Sequence, residues 1–335
     1  LKQKKSHVAV ALFKFSDGPA RLLQPRAFPK LQFQIPQKGN TSVPIPTVGP
    51  DKDIKSLGFT NDLRNTGKHQ VKRIDKMGKE WVTNMNTSCY LRRGDVRLSL
   101  STQLRTKLNW SIACLSSDPK KLDKTLHGFF YNSMSRMGCN KNMRREMRQL
   151  PKKYGGLGYF DLNIDNLGDR FHFIARHWDL PNASGKTLQQ AYETFRLSVG
   201  LGGNIFERDY SHLGKLAEPC WFEHLWRLCF RFQSPIKLAL RYEVPLMRER
   251  DISLMDAFIE TGIWQIGQLE VLNCVRRYKK VFSKSDILES DGQTVLSSMM
   301  DKFEGTSTWT FPKEKPRRTD LELWQSALYH LTSTT

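Results

Sequence analysis

The sequence predicts an α+β protein that is mostly helical, with a short β segment first and helices after it. Three observations lead to this fold class. Apolar and polar residues alternate with a period of two only within about the first 60 residues. From about residue 65 onward, apolar residues recur three or four positions apart, which is the period of an amphipathic helix. Residues that start or stop helices divide this second stretch into segments of ordinary helix length.

The N-terminal region contains three strand-like runs. Residues 7–15 mix β-branched and aromatic side chains, residues 31–35 alternate apolar and polar, and residues 54–60 form a third short run. The turn-forming segment 16–19 predicts a β-hairpin, and the segment 36–50, rich in Pro and Gly, predicts a long loop. Three short strands do not form a stable domain alone, so we expect them to need a larger sheet or helices.

Two helices are predicted between residues 65 and 115. The apolar face of the first comprises Val71, Ile74, Met77, Trp81 and Met85. Asp95 is predicted as the N-cap of the second, because its side chain can accept a hydrogen bond from a free N–H group of the first turn. The apolar face of this second helix comprises Leu98, Leu104, Leu108 and Ile112.

Two more helices are predicted before residue 151. Asp118 and Pro119 mark the start of the third, since a capping side chain followed by proline at the first helical position is a strong start signal. Its apolar residues are Leu122, Leu126, Phe129 and Phe130, and Gly138 is predicted to end it. The fourth covers residues 140–150 and ends before Pro151.

The C-terminal half is again helical in its pattern. Helices are predicted over residues 187–199, 220–232, 251–259 and 268–281, and no fixed-period repeat is evident. Thr319 and Glu322 form a capping box that predicts the start of a last helix.

The positive charge of the chain is concentrated in its first half. Residues 1–160 contain 31 Lys and Arg against 10 Asp and Glu, whereas residues 161–335 contain 22 against 23. The formal charge of +20 therefore comes entirely from the first half. A block of one sign is typical of a surface that follows a polyanion, so nucleic acid is the predicted partner.

The predicted nucleic-acid-binding residues lie on the first two predicted helices and in the segment between them. They are Lys68, Lys72, Arg73, Lys76, Lys79, Arg92, Arg93, Arg97, Arg105 and Lys107. The basic excess continues through Lys120, Lys121, Lys124 and residues 144–153, so four consecutive helices carry the same sign. Because Lys and Arg act on phosphates by counterion release, binding should be sensitive to salt and largely independent of base sequence. For any one of these helices, the simpler interpretation is a solvated surface.

A glycine-rich segment occupies residues 150–158, with the sequence L-P-K-K-Y-G-G-L-G. Three glycines in four residues suggest a phosphate-binding loop. The Walker pattern requires Lys and Ser or Thr after the last glycine, and the dinucleotide fingerprint requires a preceding strand; neither is present. The sequence therefore favours a turn with close backbone packing.

Cysteines and histidines do not predict a clear metal site. None of the six cysteines forms a C-x-x-C pair, which favours reduced thiols in an intracellular protein, nuclear or cytoplasmic. Cys220, His224 and Cys229 lie close together in sequence, but the second ligand pair of a zinc site is missing. No run of about 18 apolar residues predicts a membrane span, and no catalytic spacing such as Ser-His-Asp or H-E-x-x-H stands out.

Several short motifs occur in a definite order. They are Lys4-Lys5-Ser6 before the predicted hairpin, the K-x-L-G pattern of Lys55-Ser56-Leu57-Gly58-Phe59, the basic helices of 65–150, the segment 150–158, Leu272-Asn273-Cys274 with Arg276, Arg277 and Tyr278, and Trp324-Gln325-Ser326-Ala327-Leu328. This ordered set resembles the C-terminal part of a retroelement reverse transcriptase, most like the non-LTR type.

The resemblance implies three regions: residues 1–64 as the end of the palm, 65–150 as a thumb-like basic domain, and 151–335 as an accessory region. It implies that Lys5, or else Lys4, is the motif lysine and acts as a general acid beside the outgoing pyrophosphate. A strand resembling the primer grip would contain Lys55, Leu57, Gly58 and Phe59.

The resemblance also implies that this chain does not polymerise DNA alone. The aspartates that bind Mg²⁺ in such enzymes would precede residue 1, and two-metal phosphoryl transfer requires them. The chain starts within an element and without Met, as expected of a fragment. Its expected partners are an RNA template, an RNA–DNA duplex and the missing fingers and palm, with no metal ligand, cofactor or membrane partner of its own. Two other classes stay open: a stand-alone, domesticated RNA- or DNA-binding protein, and a metal-dependent nuclease.

Overall fold

The computed structural model describes residues 67–110, 112–232, 234–240, 251–301 and 316–333. In these ranges the protein is mostly helical, which confirms the predicted dominance of helix. The chain divides into two compact units, one formed by Pro50–Gly185 and the other containing Lys186–Thr335. The domain boundaries predicted at residues 64 and 150 stay predictions.

Within residues 1–66, only short paired backbone segments are described. They are β1 (Val8–Ala9), β2 (Phe13–Lys14), β3 (Arg21–Leu22), β4 (Phe33–Pro36), β5 (Ser42–Ile45), β6 (Thr47–Val48), β7 (Ile54–Ser56) and β8 (Phe59–Asn61). β1 pairs in parallel with β6, while β2 with β3, β4 with β5 and β7 with β8 are antiparallel pairs. Their side chains and the residues between them lie outside the described residues. The predicted N-terminal β-hairpin therefore stays a prediction.

The first unit contains a bundle of helices around one apolar core. They are α1 (Lys68–Thr87), α2 (Arg93–Ser99), α3 (Arg105–Asn109), α4 (Pro119–Ser133), α5 (Arg145–Gln149) and α6 (Leu162–His177). α1 packs along α4, and α6 packs against both α3 and α4. Aromatic and aliphatic side chains from all sides fill the core, among them Ile74, Leu108, Leu126 and Phe130.

A glycine allows α1 and α4 to lie close together. Gly78 is buried on α1, and a Cβ atom built there would lie 2.2 Å from the ring of Phe129 on α4. One turn further on, the indole N–H of Trp81 donates a 2.9 Å hydrogen bond to the hydroxyl of Ser99. The buried face of α1 is therefore fixed both by ring packing and by a buried polar contact.

A π-helical segment, Leu100–Leu104, joins α2 to α3 without a break in the helix. Its signature is the backbone N–H of Arg105, which donates to the carbonyl of Leu100 five residues earlier. The buried apolar residues of this helix, Val96, Leu100, Leu104 and Leu108, are each four positions apart. Each four-residue step overshoots an α-helical turn by about 40°, so a strict α-helix would rotate this stripe away from the core. The wider π turn compensates and keeps the four side chains inside.

This geometry corrects two expectations about the second helix. Leu98 is not part of its buried face, because 61% of the residue is exposed. Asp95 is not the N-cap: Arg92 holds that position, and the Asp95 carboxylate accepts a 2.9 Å hydrogen bond from the Arg92 backbone N–H. Asp95 thus acts from the third helical position, where a carboxylate also satisfies a free N–H group.

The start of α4 is confirmed. The Asp118 carboxylate accepts a 3.0 Å hydrogen bond from the backbone N–H of Lys120, and Pro119 is the first helical residue. Its four predicted apolar residues are all buried. α4 ends at Ser133, and the chain turns to Gly138, whose φ of 72° favours glycine. α5 is shorter than predicted, since only Arg145–Gln149 is helical.

An ion-pair network connects α4, α5 and α6. Arg145 donates two hydrogen bonds to Asp123, of 3.1 and 2.9 Å, and one of 2.9 Å to Asp161. Asp161 also caps α6 by accepting from the backbone N–H of Asn163, whose side chain in turn donates to Asp123. Arg145 is therefore a structural residue of the first unit.

The second unit is also helical. Its helices are α7 (Ala183–Val199), which begins just before the unit boundary, α8 (Tyr210–Leu213), α9 (Trp221–Cys229), α10 (Leu254–Glu260), α11 (Ile266–Lys279), α12 (Ser297–Met300) and α13 (Arg318–Ser333). α11 packs against α10 and α13. Ring contacts join α7 to α9: Phe222 lies beside Tyr192, with ring centroids 5.4 Å apart, and Trp226 lies beside Phe195.

The motif around residue 273 has a structural role in this unit. Asn273 donates hydrogen bonds to the carbonyls of Ser198 and Leu216. Arg276, which is 3% exposed, donates to the carbonyls of Leu197 and Val281. Both side chains therefore satisfy backbone groups at the end of α7 and in the turns nearby, which polar residues in a core must do.

The last helix starts one residue earlier than its predicted cap. α13 begins at Arg318, and the carboxylate of Asp320 accepts a hydrogen bond from the backbone N–H of Arg317. Thr319 is thus inside the helix, and the capping box predicted with Glu322 is wrong. The apolar residues Trp324, Leu328 and Leu331 of this helix are buried.

Candidate nucleic-acid interface

The lysines of α1 form a stripe on the face opposite to its buried residues. At about 100° per residue, Lys68, Lys72, Lys76 and Lys79 fall within a sector of about 80°. The buried residues Gln70, Ile74, Gly78 and Trp81 are centred on the other side of the helix. All four lysines are exposed, with the side chains of Lys76 and Lys79 accessible to 78% and 72%. We call these four residues the α1 lysine stripe.

Two carboxylates flank this stripe on α1. Lys79 is 2.6 Å from Asp75 and Lys76 is 3.9 Å from Glu80, each pair one helical turn apart. Exposed pairs of this kind contribute at most about 1 kcal/mol, so a phosphate group can compete for the same lysines. Together with the half-buried Arg73, the stripe gives α1 five Lys and Arg residues, against two Asp and Glu residues.

The predicted arginines of α2 are exposed but have structural contacts. Arg92 is the N-cap residue, and the aliphatic part of Arg93 lies over Gly138. The Nε of Arg97 donates a 3.0 Å hydrogen bond to the carbonyl of Met137, and its Nη2 lies 3.5 Å from the sulfur of Cys139. Both of these partners of Arg97 are neutral, so they do not balance its charge.

The two predicted basic residues of α3 differ in their surroundings. Arg105 makes a bidentate pair with Asp165 of α6, at 3.2 and 2.8 Å, and Asn109 donates to the same carboxylate. Part of the charge of Arg105 is therefore balanced inside the protein. Lys107 is exposed on the outer side of the helix.

The structure also brings together residues that the sequence did not connect. A groove of about 260 Å³ lies between the π-containing helix and the glycine-rich segment. Arg97, Ser101 and Arg105 line one wall, and Lys152 and Tyr159 line the other. We call it the π-helix groove. The spacing of four residues from Arg97 to Ser101 to Arg105 was a signal in the sequence, but only the folded loop shows that Lys152 joins them.

The glycine-rich segment is a closely packed turn, as predicted. The backbone N–H groups of residues 154–159 all donate within the turn or to α5: Tyr154 to Pro151, Gly155 to Lys152, Gly156 to Pro151, Leu157 to Met147, Gly158 to Leu150 and Tyr159 to Arg148. A Cβ atom at Gly156 would lie 2.0 Å from the carbonyl oxygen of Leu150, so only glycine fits there. Since these N–H groups are already bonded, the segment does not offer them to a phosphate.

The basic excess of residues 144–153 is only partly a surface feature. Arg145 belongs to the ion-pair network, and Arg148 is 6% exposed, with its Nη1 3.8 Å from the sulfur of Met134. Burial and the nearby Arg145 lower the pKa of Arg148 from its ordinary value. Arg144, Lys152 and Lys153 remain exposed and available to an anionic partner.

The side chains of the site residues predicted in the N-terminal region lie outside the described part of the chain. Lys4, Lys5, Leu57 and Gly58 lie outside the described residues. Lys55 is in β7 and Phe59 in β8, where backbone pairing is described but side chains are not. The roles that the resemblance implies for these residues stay predictions.

No group of three or more His, Cys, Asp or Glu able to hold a metal occurs in the described part of the chain. Cys220 accepts a hydrogen bond from the backbone N–H of Glu223 at the start of α9, while His224 and Cys229 are buried on that helix. The residues considered for zinc are therefore not gathered around one point. In the helices that the structure describes, none is long and apolar enough to cross a bilayer.

Comparison of this chain with protein-family models, with curated proteins and with solved structures finds no match.

Proposed function

We propose that this chain is the C-terminal part of an RNA-directed DNA polymerase of a retroelement, and that it holds the template–primer duplex. Phosphoryl transfer, with Mg²⁺, would belong to the fingers and palm of the same polypeptide. The observation that carries this proposal is the α1 lysine stripe, which points away from the core along one helix. The order of the sequence motifs supplies the polymerase context.

The dimensions of the stripe suit a duplex backbone. From Lys68 to Lys79 the helix rises roughly 16 Å, and its ammonium groups recur about every turn. A nucleic-acid duplex carries one negative charge per about 1.7 Å of its axis, so several phosphates lie within that length. Lys124 of α4, which lines the same surface depression as Lys79, extends the basic surface beyond α1.

The alternative is a stand-alone RNA- or DNA-binding protein that uses the same stripe without a polymerase. The two functions differ in what precedes residue 1. A Y-x-D-D sequence encoded within about 30 residues upstream, which is ample for one hairpin, would support the polymerase. An upstream sequence without that turn and its strands would support the stand-alone protein.

The test is binding of a labelled RNA–DNA hybrid to the full chain over about 50 to 200 mM salt, followed by fluorescence anisotropy. The triple variant K72Q/K76Q/K79Q removes three charges from the exposed stripe. We expect the slope of log K against log salt to become shallower by about 2.7, because each phosphate contact contributes about 0.9.

The matched control is K186Q/K237Q/K280Q, which removes three exposed lysines of the second unit. It lowers the net charge equally and should leave the slope nearly unchanged. Equal slopes in the unsubstituted chain and the stripe variant, or equal losses in both variants, would show that α1 does not hold the duplex.

A further inference from the structure

We infer that the π-helix groove binds a single-stranded stretch of nucleic acid, separately from the duplex on the α1 lysine stripe. The inference rests on the proposed function only in taking nucleic acid as the partner. In a polymerase complex, such a strand would be the unpaired template next to the duplex.

The charges of the groove favour an anion. Arg97, Arg105 and Lys152 are three cations around one cavity, and Arg105 is paired with the carboxylate of Asp165. Arg97 is bonded to a neutral carbonyl, and Lys152 is exposed and makes no side-chain hydrogen bond or ion pair with the described residues. About two positive charges are therefore left for a ligand.

The spacing of the two arginines fits a chain of phosphates better than one phosphate. Arg97 and Arg105 are eight residues apart, which is roughly 12 Å along the helix axis. Stacked nucleotides advance about 3.4 Å each along a strand, so this distance covers about three of them. The π segment matters here, because it keeps both arginines on the side of the helix that faces the loop.

The shape of the groove selects a strand rather than a duplex or a nucleotide triphosphate. A concave space of about 260 Å³ admits the sugar and phosphate of one strand, whereas a duplex is too wide to enter it. The backbone N–H groups of residues 154–159 are already bonded, so the glycine-rich turn does not offer them as the cradle that holds the phosphates of a nucleotide. The groove would contact a strand through flexible cationic side chains, as in sequence-independent strand binding.

An exposed aromatic ring lies in the turn that forms the loop wall. Tyr154 is 64% exposed and directly follows Lys152 and Lys153, whose Nζ lies 4.7 Å from the ring centroid. Bases of a single strand stack on rings of this kind, and this interaction requires no particular sequence. A cationic groove, with an exposed aromatic side chain in the turn that forms one of its walls, has both components of a single-strand site.

The experiment compares a blunt hybrid duplex with the same duplex carrying an overhang of six nucleotides, using the full chain at one salt concentration. We expect the overhang to tighten binding about tenfold in the unsubstituted chain, as two or three additional phosphate contacts would. The variants Lys152→Glu and Arg97→Gln should each reduce this gain to less than about twofold, measured against the blunt-duplex affinity of the same variant. Lys152→Glu is the decisive variant, because Arg97 also supports the carbonyl of Met137.

The control K120Q/K121Q removes two exposed lysines at the start of α4, which are not part of the groove. It should keep the full gain from the overhang. If the overhang gives no gain, or if the gain survives Lys152→Glu, the groove is not a strand-binding site. Loss of blunt-duplex binding in the α1 variant is measured separately, so the two proposals fail independently.

Discussion

The close contact between Gly78 and Phe129 predicts that Gly78→Ala destabilises the protein, although alanine usually stabilises a helix where it replaces glycine. Replacing a helical glycine by alanine ordinarily stabilises a protein by about 0.5–1 kcal/mol, because alanine restricts the unfolded chain and favours helix. At Gly78, however, the added methyl group would lie 2.2–2.3 Å from three atoms of a buried ring. Overpacking of a core costs about 1–3 kcal/mol, and this overlap is severe enough to place it near the upper limit. We expect Gly78→Ala to lower the free energy of unfolding by about 2 kcal/mol after the propensity gain is subtracted.

The assay is urea unfolding of the full chain, with the midpoint and the slope m fitted together. The matched control is Gly128→Ala on α4, where nothing lies within 4 Å of the added Cβ, and it should stabilise the protein. In a Phe129→Leu background, Gly78→Ala should lose most of its cost, because the ring that it meets is gone. A Gly78→Ala protein as stable as the Gly128→Ala protein would refute the close packing of α1 on α4.

Two further predictions concern charge and ionisation. Arg145→Gln should lower the free energy of unfolding by about 1–3 kcal/mol, since it leaves Asp123 and Asp161 without their shared guanidinium, whereas exposed Arg144→Gln should change it by less than about 0.5 kcal/mol in the same urea assay. Equal effects of the two substitutions would show that the network does not stabilise the bundle. Burial raises the pKa of Tyr192 to about 12, so the folded state retains this proton when the unfolded chain, with a pKa of about 10, releases it. The stabilisation that the protonated Tyr192 contributes is complete below about pH 10 and is lost between about pH 10 and 12. The Tyr192→Phe variant should therefore show a smaller fall in the free energy of unfolding over that window. An unchanged fall would contradict the assignment of this raised pKa to Tyr192.

Local signals in the sequence predict helices well where the cause is local. The carboxylate of Asp118 and the ring of Pro119 act on the next few residues, so the start of α4 follows from the sequence alone. The burial of Leu122, Leu126 and Phe129 follows from their spacing on an ordinary α-helix. The same reasoning gave the wrong face for the second helix, because it assumes about 3.6 residues per turn throughout. Leu98 is exposed because the π segment changes the number of residues per turn between it and the buried Leu104 and Leu108.

The candidate interface shows the same division between local and distant causes. The α1 lysine stripe could be predicted, since it depends on one regular helix. The neutralisation of Arg105 by Asp165 could not, because the two residues are 60 positions apart and meet only when α6 packs on α3. Lys152 is another such case: its approach to Arg97 depends on how residues 150–158 turn back over the helix. Charge counts from sequence therefore overestimate the number of cations that a polyanion can reach.

The π segment makes the length of this helix as important as its composition. Substitutions that keep the volumes of Leu100 and Leu104 leave the five-residue turn in place. Gain of one residue between them would exceed the one extra residue that the π turn accommodates, and it would rotate everything that follows by about 100° relative to the core. Leu108 would leave the apolar interior, and Arg105 would swing away from both Asp165 and the groove. A single-codon insertion here would thus disturb folding and the candidate binding site at once, whereas most single substitutions would disturb one of them.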